Sequence, residues 1–263
     1  MLRNIFGLHS ESDSSDDDNM DSRGLETDLM AGHSNQLEVS YKPQDESLPV
    51  IRLQQQPQKG IAHQLWPAAA FLCDFLETHT ADYLGRTTSA SSSPELSTLS
   101  DVLELGAGVG LCGIFCAKLG CPRVVITDLA EALDTITANI SLNASTTNAE
   151  AAELRWGEAL QTEQIIATFD AAHPPLVIAA DCVYWECLYM PLLQTLRQLV
   201  DFGCVVVMAH VRRWKKDGKF FQMCKKYMCV EVLLEVVDTE RDDSCDRTLR
   251  RIRRIYKMMK RSS

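Results

Sequence analysis

The apolar positions of this chain change rhythm several times, and each change marks an element. Over residues 66–78 (WPAAAFLCDFLET), Phe71, Leu72, Phe75 and Leu76 recur at helical spacing behind Pro67, which suits a first helical turn. Beyond it, short apolar runs alternate with helical stretches. Residues 101–105, 123–127, 176–180 and 204–209 read as buried strands, and 153–156 as a further short strand. Helices are expected over 111–119, 130–142 and 189–200. Near the end, a helix over 218–227 precedes a strand over 230–237 and a polar turn over 238–246. Residues 249–258 then alternate loosely, with Ile252, Tyr256 and Met258 on one side. Strand–helix alternation at this spacing implies right-handed crossovers. The expected fold class is α/β: a doubly wound, Rossmann-like, seven-stranded sheet ending in an antiparallel hairpin.

Upstream of about Pro49 the periodicity fades. The stretch is polar and acidic, with ESDSSDDDNMD over residues 11–21, and has too little apolar surface to offset its ordering entropy. The expectation is a disordered acidic tail over residues 1–48 and one folded domain over 49–263. Val39–Tyr41 and Val50–Leu53 are candidates for short strands where the domain begins. Residues 87–93 (TTSASSS) read as a loop.

Composition narrows the function classes. In 263 residues, 46% hydrophobic and 24% charged, one such domain plus a flexible end is the natural division. A net charge of −10 disfavours general nucleic-acid binding, which depends on neutralising phosphates. The basic alternation from Arg250 to Lys257 reads as the solvated face of an edge strand. The ten cysteines include no C-x-x-C pair and several fall in apolar runs such as LCGIFCAKLGC; they are expected as buried free thiols in a reducing compartment, with no metal site. With no membrane-length apolar run and no signal-peptide core, a cytoplasmic location is expected, with the nucleus as a second.

The motif with most chemical content is Glu104-Leu105-Gly106-Ala107-Gly108-Val109-Gly110, between a strand and a helix. Glycines let the backbone turn tightly and approach a ligand, and the helix that follows presents free N–H groups. Asp128 ends the next strand, where nucleoside-binding folds of this type place an acid for ribose hydroxyls; capping the next helix is compatible with that role. Asp181 ends a third strand, so three successive strand C-termini carry Gly or Asp at the edge where such sheets bind ligands. A G-x-G-x-x-G register from Gly106 puts Leu111 at the last glycine, which argues against a nicotinamide-dependent oxidoreductase.

These residues carry a family resemblance. HQLWPAAAFLCDFL, ELGAGVGLCGI, TDL, the Trp156-Gly157 pair and AADCVYWECLYMPLLQTL, from about residue 60 to 211, resemble the seven-β-strand protein-lysine methyltransferases (methyltransferase-like family 21, or lysine methyltransferase family 16). The D-x-x-Y portion from Asp181 to Tyr184 is the most branch-specific element. The resemblance implies S-adenosyl-L-methionine as cofactor and a non-histone protein lysine as acceptor, on a partner such as a chaperone or translation factor. It implies that Trp66 lies over the methionine end of the cofactor, and that Glu104, Gly106, Ala107 and Gly108 form the loop at its amino-acid portion. Asp128 would take the ribose, Trp156 would flank the adenine, and the Ala180 backbone would touch the cofactor. Asp181 and Tyr184 would be the catalytic pair at the lysine channel. Other readings of the same residues are methyl transfer to a small molecule or another protein residue, and a non-catalytic scaffold. The acidic tail and the basic C-terminal strand lie outside the shared pattern.

Overall fold

The computed structural model describes residues 25–28, 37–85, 99–143, 148–214, 216–242 and 247–261. In chain order, β1 (Leu25–Asp28), β2 (Leu37–Tyr41) and β3 (Ile51–Gln55) precede α1 (Pro67–Thr78) and a single turn, α2 (Thr80–Tyr83). Then β4 (Val102–Leu105), α3 (Leu111–Lys118), β5 (Val124–Asp128), α4 (Leu133–Leu142), β6 (Ala149–Glu153), α5 (Ala159–Ile166), β7 (Leu176–Ala180), α6 (Tyr189–Phe202) and β8 (Val205–Arg212) alternate. The chain closes with α7 (Asp217–Cys224), β9 (Cys229–Asp242) and β10 (Arg247–Met259).

Seven strands form one sheet in the order β6-β5-β4-β7-β8-β10-β9. The first five are parallel, whereas β10 is antiparallel to both β8 and β9. This is the expected α/β sheet with its C-terminal antiparallel pair. Alternate residues of a strand face opposite layers. Val102 of β4 and Val207, Ala209 and Val211 of β8 pack with α1 and α3, while Leu103, Leu105, Val206 and Met208 pack with α6 and α7. Both faces are covered, which is why the central strands are continuously apolar.

Several boundaries differ from expectation. The strand anticipated at 153–156 lies earlier, at Ala149–Glu153. Its sequence, AEAAE, has weak strand preference, and the pairing with β5 supplies what propensity does not. Helix α5 carried too short a pattern to be expected at all. The polar stretch 238–242 is strand rather than turn, because each residue from Asp238 to Asp242 finds a partner on β10.

Residues 37–48, assigned to the tail on polarity, contain β2, and there Val39 and Tyr41 are buried. The β2–β3 hairpin lies on the helical layer, so only alternate residues are covered and the stretch still looks polar. Tyr41 donates to Asp74 Oδ1 at 2.8 Å and meets Phe115 edge-on. Asn139 of α4 and Asn143, which caps its C-terminus, each exchange hydrogen bonds with the β3 backbone, at Gln54 and Arg52. Residues 25–28 of the expected tail also form strand, with β1 antiparallel to β2; the rest of the tail and the expected loop at 87–93 lie outside the described residues.

Candidate active site

Strand C-termini meet at one edge, and the residues singled out in the sequence gather there in three groups. In the first, Gly106 and Gly108, both at φ +59°, fold the β4–α3 loop back on itself. Ala107 N–H donates to Thr127 O at 3.0 Å, and Gly108 N–H donates to Asp128 Oδ2 at 2.7 Å. Leu129 N–H donates to the other oxygen, Oδ1, at 2.7 Å. Asp128 thus ties the loop to the end of β5. Asn139 supports the same loop from α4, donating to Val109 O at 2.9 Å.

Glu104 stands beneath the loop. Its Oε2 accepts from Gly113 N–H at 2.8 Å, which anchors the first turns of α3 to β4. Burial pushes its carboxyl up to about 8, against the lowering effect of that N–H.

The second group is Trp156, Gly106 and Cys182. A Cβ on Gly106 would lie 2.6 Å from Trp156 Cζ2 and 3.0 Å from Cys182 Sγ, so the indole rests directly on the loop. Trp156 is placed by its neighbours: Leu154 N–H donates to Asp128 O at 2.9 Å, and Gly157 N–H to Thr195 Oγ1 of α6 at 2.9 Å.

The third group surrounds the end of β7. Ala180 is half-buried, and Asp181 continues the ladder by donating its N–H to Ala209 O at 2.9 Å. Asp181 has φ +59°, the one non-glycine residue with positive φ among the described residues. Such backbone is tolerated by Asp but is sparsely populated, and it concentrates at functional sites. Tyr184 is half-buried, edge-on to the exposed Trp185, and burial raises its hydroxyl pKa, so the phenol stays neutral. Trp66 caps the start of α1, with its Nε1–H donating to Ile61 O at 2.9 Å.

Sequence reasoning missed the partners of Asp181. Arg213 binds it through both nitrogens, Nη1 to Oδ1 at 3.0 Å and Nη2 to Oδ2 at 2.5 Å, while its guanidinium carbon lies 5.2 Å from the centre of the Trp66 ring. His210, fully buried, lies between two buried acids: Nδ1 is 3.8 Å from Asp181 Oδ1 and Nε2 is 3.4 Å from Asp217 Oδ2, both outside hydrogen-bonding geometry. The available signal was a histidine inside the apolar run VVVMAH, which in a buried strand needs polar company.

The residues fit the cofactor their pattern implies. A carboxylate has about four acceptor positions, and the two N–H donors on Asp128 leave room for a pair of adjacent hydroxyls. Burial raises the Asp128 pKa, and further donors would relieve the cost of a charge held there. Half-buried Trp156 beside the loop supplies a flat apolar surface of the kind an adenine packs on.

A Rossmann-like sheet with this loop, this acid and this antiparallel closing pair defines an S-adenosyl-L-methionine-dependent methyltransferase. Comparison with known proteins takes the assignment further. A family profile described as lysine methyltransferase matches residues 45–227. Protein N-lysine methyltransferase METTL21A of Danio rerio is 34% identical over 196 residues, covering 73% of this chain and 79% of that protein. EEF1A lysine methyltransferase 3 of Xenopus tropicalis is 36% identical over 184 residues, 69% of this chain and 72% of that protein. Protein-lysine N-methyltransferase EFM6 of Saccharomyces cerevisiae is 29% identical over 220 residues, 78% and 85% respectively. The chain belongs to the lysine methyltransferase family, and its activity is methyl transfer from S-adenosyl-L-methionine to a protein lysine.

Proposed function

We propose that this enzyme methylates a lysine of a non-histone protein, holding the amine between Asp181 and Tyr184 beside a cofactor site made by the 106–108 loop, Asp128, Trp156, the Ala180 backbone and Trp66. The observation that carries the assignment is Asp181: a buried acid in left-handed backbone, at the strand end next to the loop. S-adenosyl-L-methionine supplies, when bound, a methyl group activated by a sulfonium. Asp128 holds the ribose, Trp156 flanks the adenine, and Glu104 supports the loop from below.

A lysine must be neutral to attack, so the chain has to strip water from the amine and aim its lone pair. Alignment of this kind lowers a barrier by several kcal/mol, about 7–11 at most. The neutral Tyr184 hydroxyl suits that task, because it accepts or donates one hydrogen bond without adding charge. The name of the Xenopus relative points to a translation factor, EEF1A, as the kind of protein recognised. A chaperone is the other kind of partner that the family resemblance implies. No helix among the described residues is long and apolar enough to cross a membrane, and the described cysteines are free thiols, which suits work in the cytoplasm or nucleus.

The test is recombinant enzyme, tritiated S-adenosyl-L-methionine and cell extract, followed by mass spectrometry of the labelled protein. Label on a lysine side chain is expected. Tyr184→Phe should cut transfer by roughly ten- to a hundredfold, with cofactor affinity from calorimetry unchanged. Label on a small molecule or on another residue type would refute the acceptor assignment; equal turnover by the Phe variant would remove Tyr184 from the channel.

A further inference from the structure

The chemistry of the acceptor poses a problem at Asp181. A carboxylate within about 4–6 Å of an amine favours the ammonium and raises its pKa by roughly 1–3 units. An unpaired Asp181 would therefore hold the substrate lysine in its unreactive form. The structure supplies a remedy in Arg213, whose guanidinium covers both carboxylate oxygens.

That placement is built rather than casual. Asp217, buried at the start of α7, accepts from the N–H groups of both Arg213 and Trp214 on Oδ2, each at 3.0 Å, and so fixes the turn after β8. Burial works to raise the Asp217 pKa, but His210 and those two N–H groups outweigh it and hold it below the ordinary value. On its other side the Arg213 guanidinium lies over the Trp66 ring, which restricts its swing. The Arg213 side chain retains 29% exposure against 3% for Asp181, so the pair sits at the mouth of the site with its acid inward.

We infer that Arg213 is a positioning residue for methyl transfer: it neutralises Asp181, so that the carboxylate orients the lysine without keeping it protonated. This rests on the reading of Asp181 as part of the lysine channel. The ε-ammonium gives its proton to water; the nitrogen lone pair then forms the N–C bond as the C–S electron pair passes to sulfur, and the product leaves as a methylammonium. The groups around Asp181 are accounted for. Arg213 comes from the turn, His210 and the Val211 N–H from β8, and Cys182 and Tyr184 follow in its own segment. Asp217 stands across His210, and Asp128 lies across Cys182. Arg213 is the cation bound directly to both oxygens of Asp181.

The experiment measures tritium transfer into the labelled extract protein at saturating S-adenosyl-L-methionine, from about pH 7 to about pH 10, as the ratio of variant to wild type. Arg213→Met is expected to lose about tenfold or more near pH 7 and to recover most of it near pH 10, since each pKa unit is tenfold in neutral amine. Arg213→Gln should behave alike and guards against poor folding of the Met variant; Arg213→Lys, which keeps the charge but not the contact to both oxygens, should lose less than the Met variant near pH 7. Cofactor affinity by calorimetry should not change. Combining Arg213→Met with Asp181→Asn removes both charges and should abolish the pH shift, whatever the overall rate. A deficit equal at all pH values, or no deficit, overturns the inference, as does a shift that persists in the double variant. If Asp181→Asn alone leaves transfer at the wild-type rate, the lysine-channel reading fails instead.

Discussion

Gly108 and Asp128, twenty residues apart in the chain, are joined across the site by a 2.7 Å hydrogen bond from the glycine N–H to the carboxylate. One side chain therefore shapes the loop and is, in the proposed function, also the acceptor for the ribose hydroxyls. Asp128→Ala should strand the Gly108 and Leu129 N–H groups and remove the hydroxyl acceptor together. Losing buried polar partners costs about 1–3 kcal/mol, so cofactor affinity should fall roughly 5- to 150-fold. Calorimetry on a variant whose circular dichroism matches wild type is the measurement, and unchanged affinity would reduce Asp128 to a cap for the turn at Leu129.

Gly106 has two reasons to be glycine, and they are separable. Its φ of +59° penalises any side chain by about 1–2 kcal/mol, and a Cβ there meets Trp156 at 2.6 Å. Gly106→Ala should displace the indole, change tryptophan fluorescence and lower cofactor affinity at least about tenfold, a loss of about 1.4 kcal/mol. Gly120, at φ +96° with nothing within 4 Å of its would-be Cβ, is the control. Gly120→Ala should lose a comparable amount of stability and keep its affinity. If both variants bind alike, the Trp156 contact is not what Gly106 protects.

Glu104 makes a pH prediction. Its folded pKa of about 8 lies above the ordinary 4.5, chiefly through burial. The stability it contributes is thus fully present below about 4.5 and is lost as pH rises through about 8. Glu104→Gln keeps an acceptor for Gly113 N–H without the charge. Its melting temperature should approach wild type near pH 5 and exceed it above about pH 8. Melting curves that stay parallel from about pH 5 to about pH 9 would count against a buried, protonating Glu104.

By itself, the sequence determined the succession of elements around the site and the chemistry of its strand ends. Helical spacing placed α1, and the apolar runs VIAA and VVVMA placed β7 and β8, because buried parallel strands must be apolar on both faces. The glycine loop and Asp128 were legible because their demands, tight backbone and an acid at a strand end, are local to a few residues. Tertiary structure decided the rest. Strand β6 exists because β5 pairs with AEAAE, and β2 belongs to the fold because α1 and α3 receive Tyr41. Only the folded chain brings Arg213 onto Asp181, 32 residues away, and sets His210 between Asp181 and Asp217. No period in the sequence encodes such pairs. A buried charge is satisfied by whatever group the crossovers carry to it, and that depends on the order of strands in the sheet, not on their order in the chain.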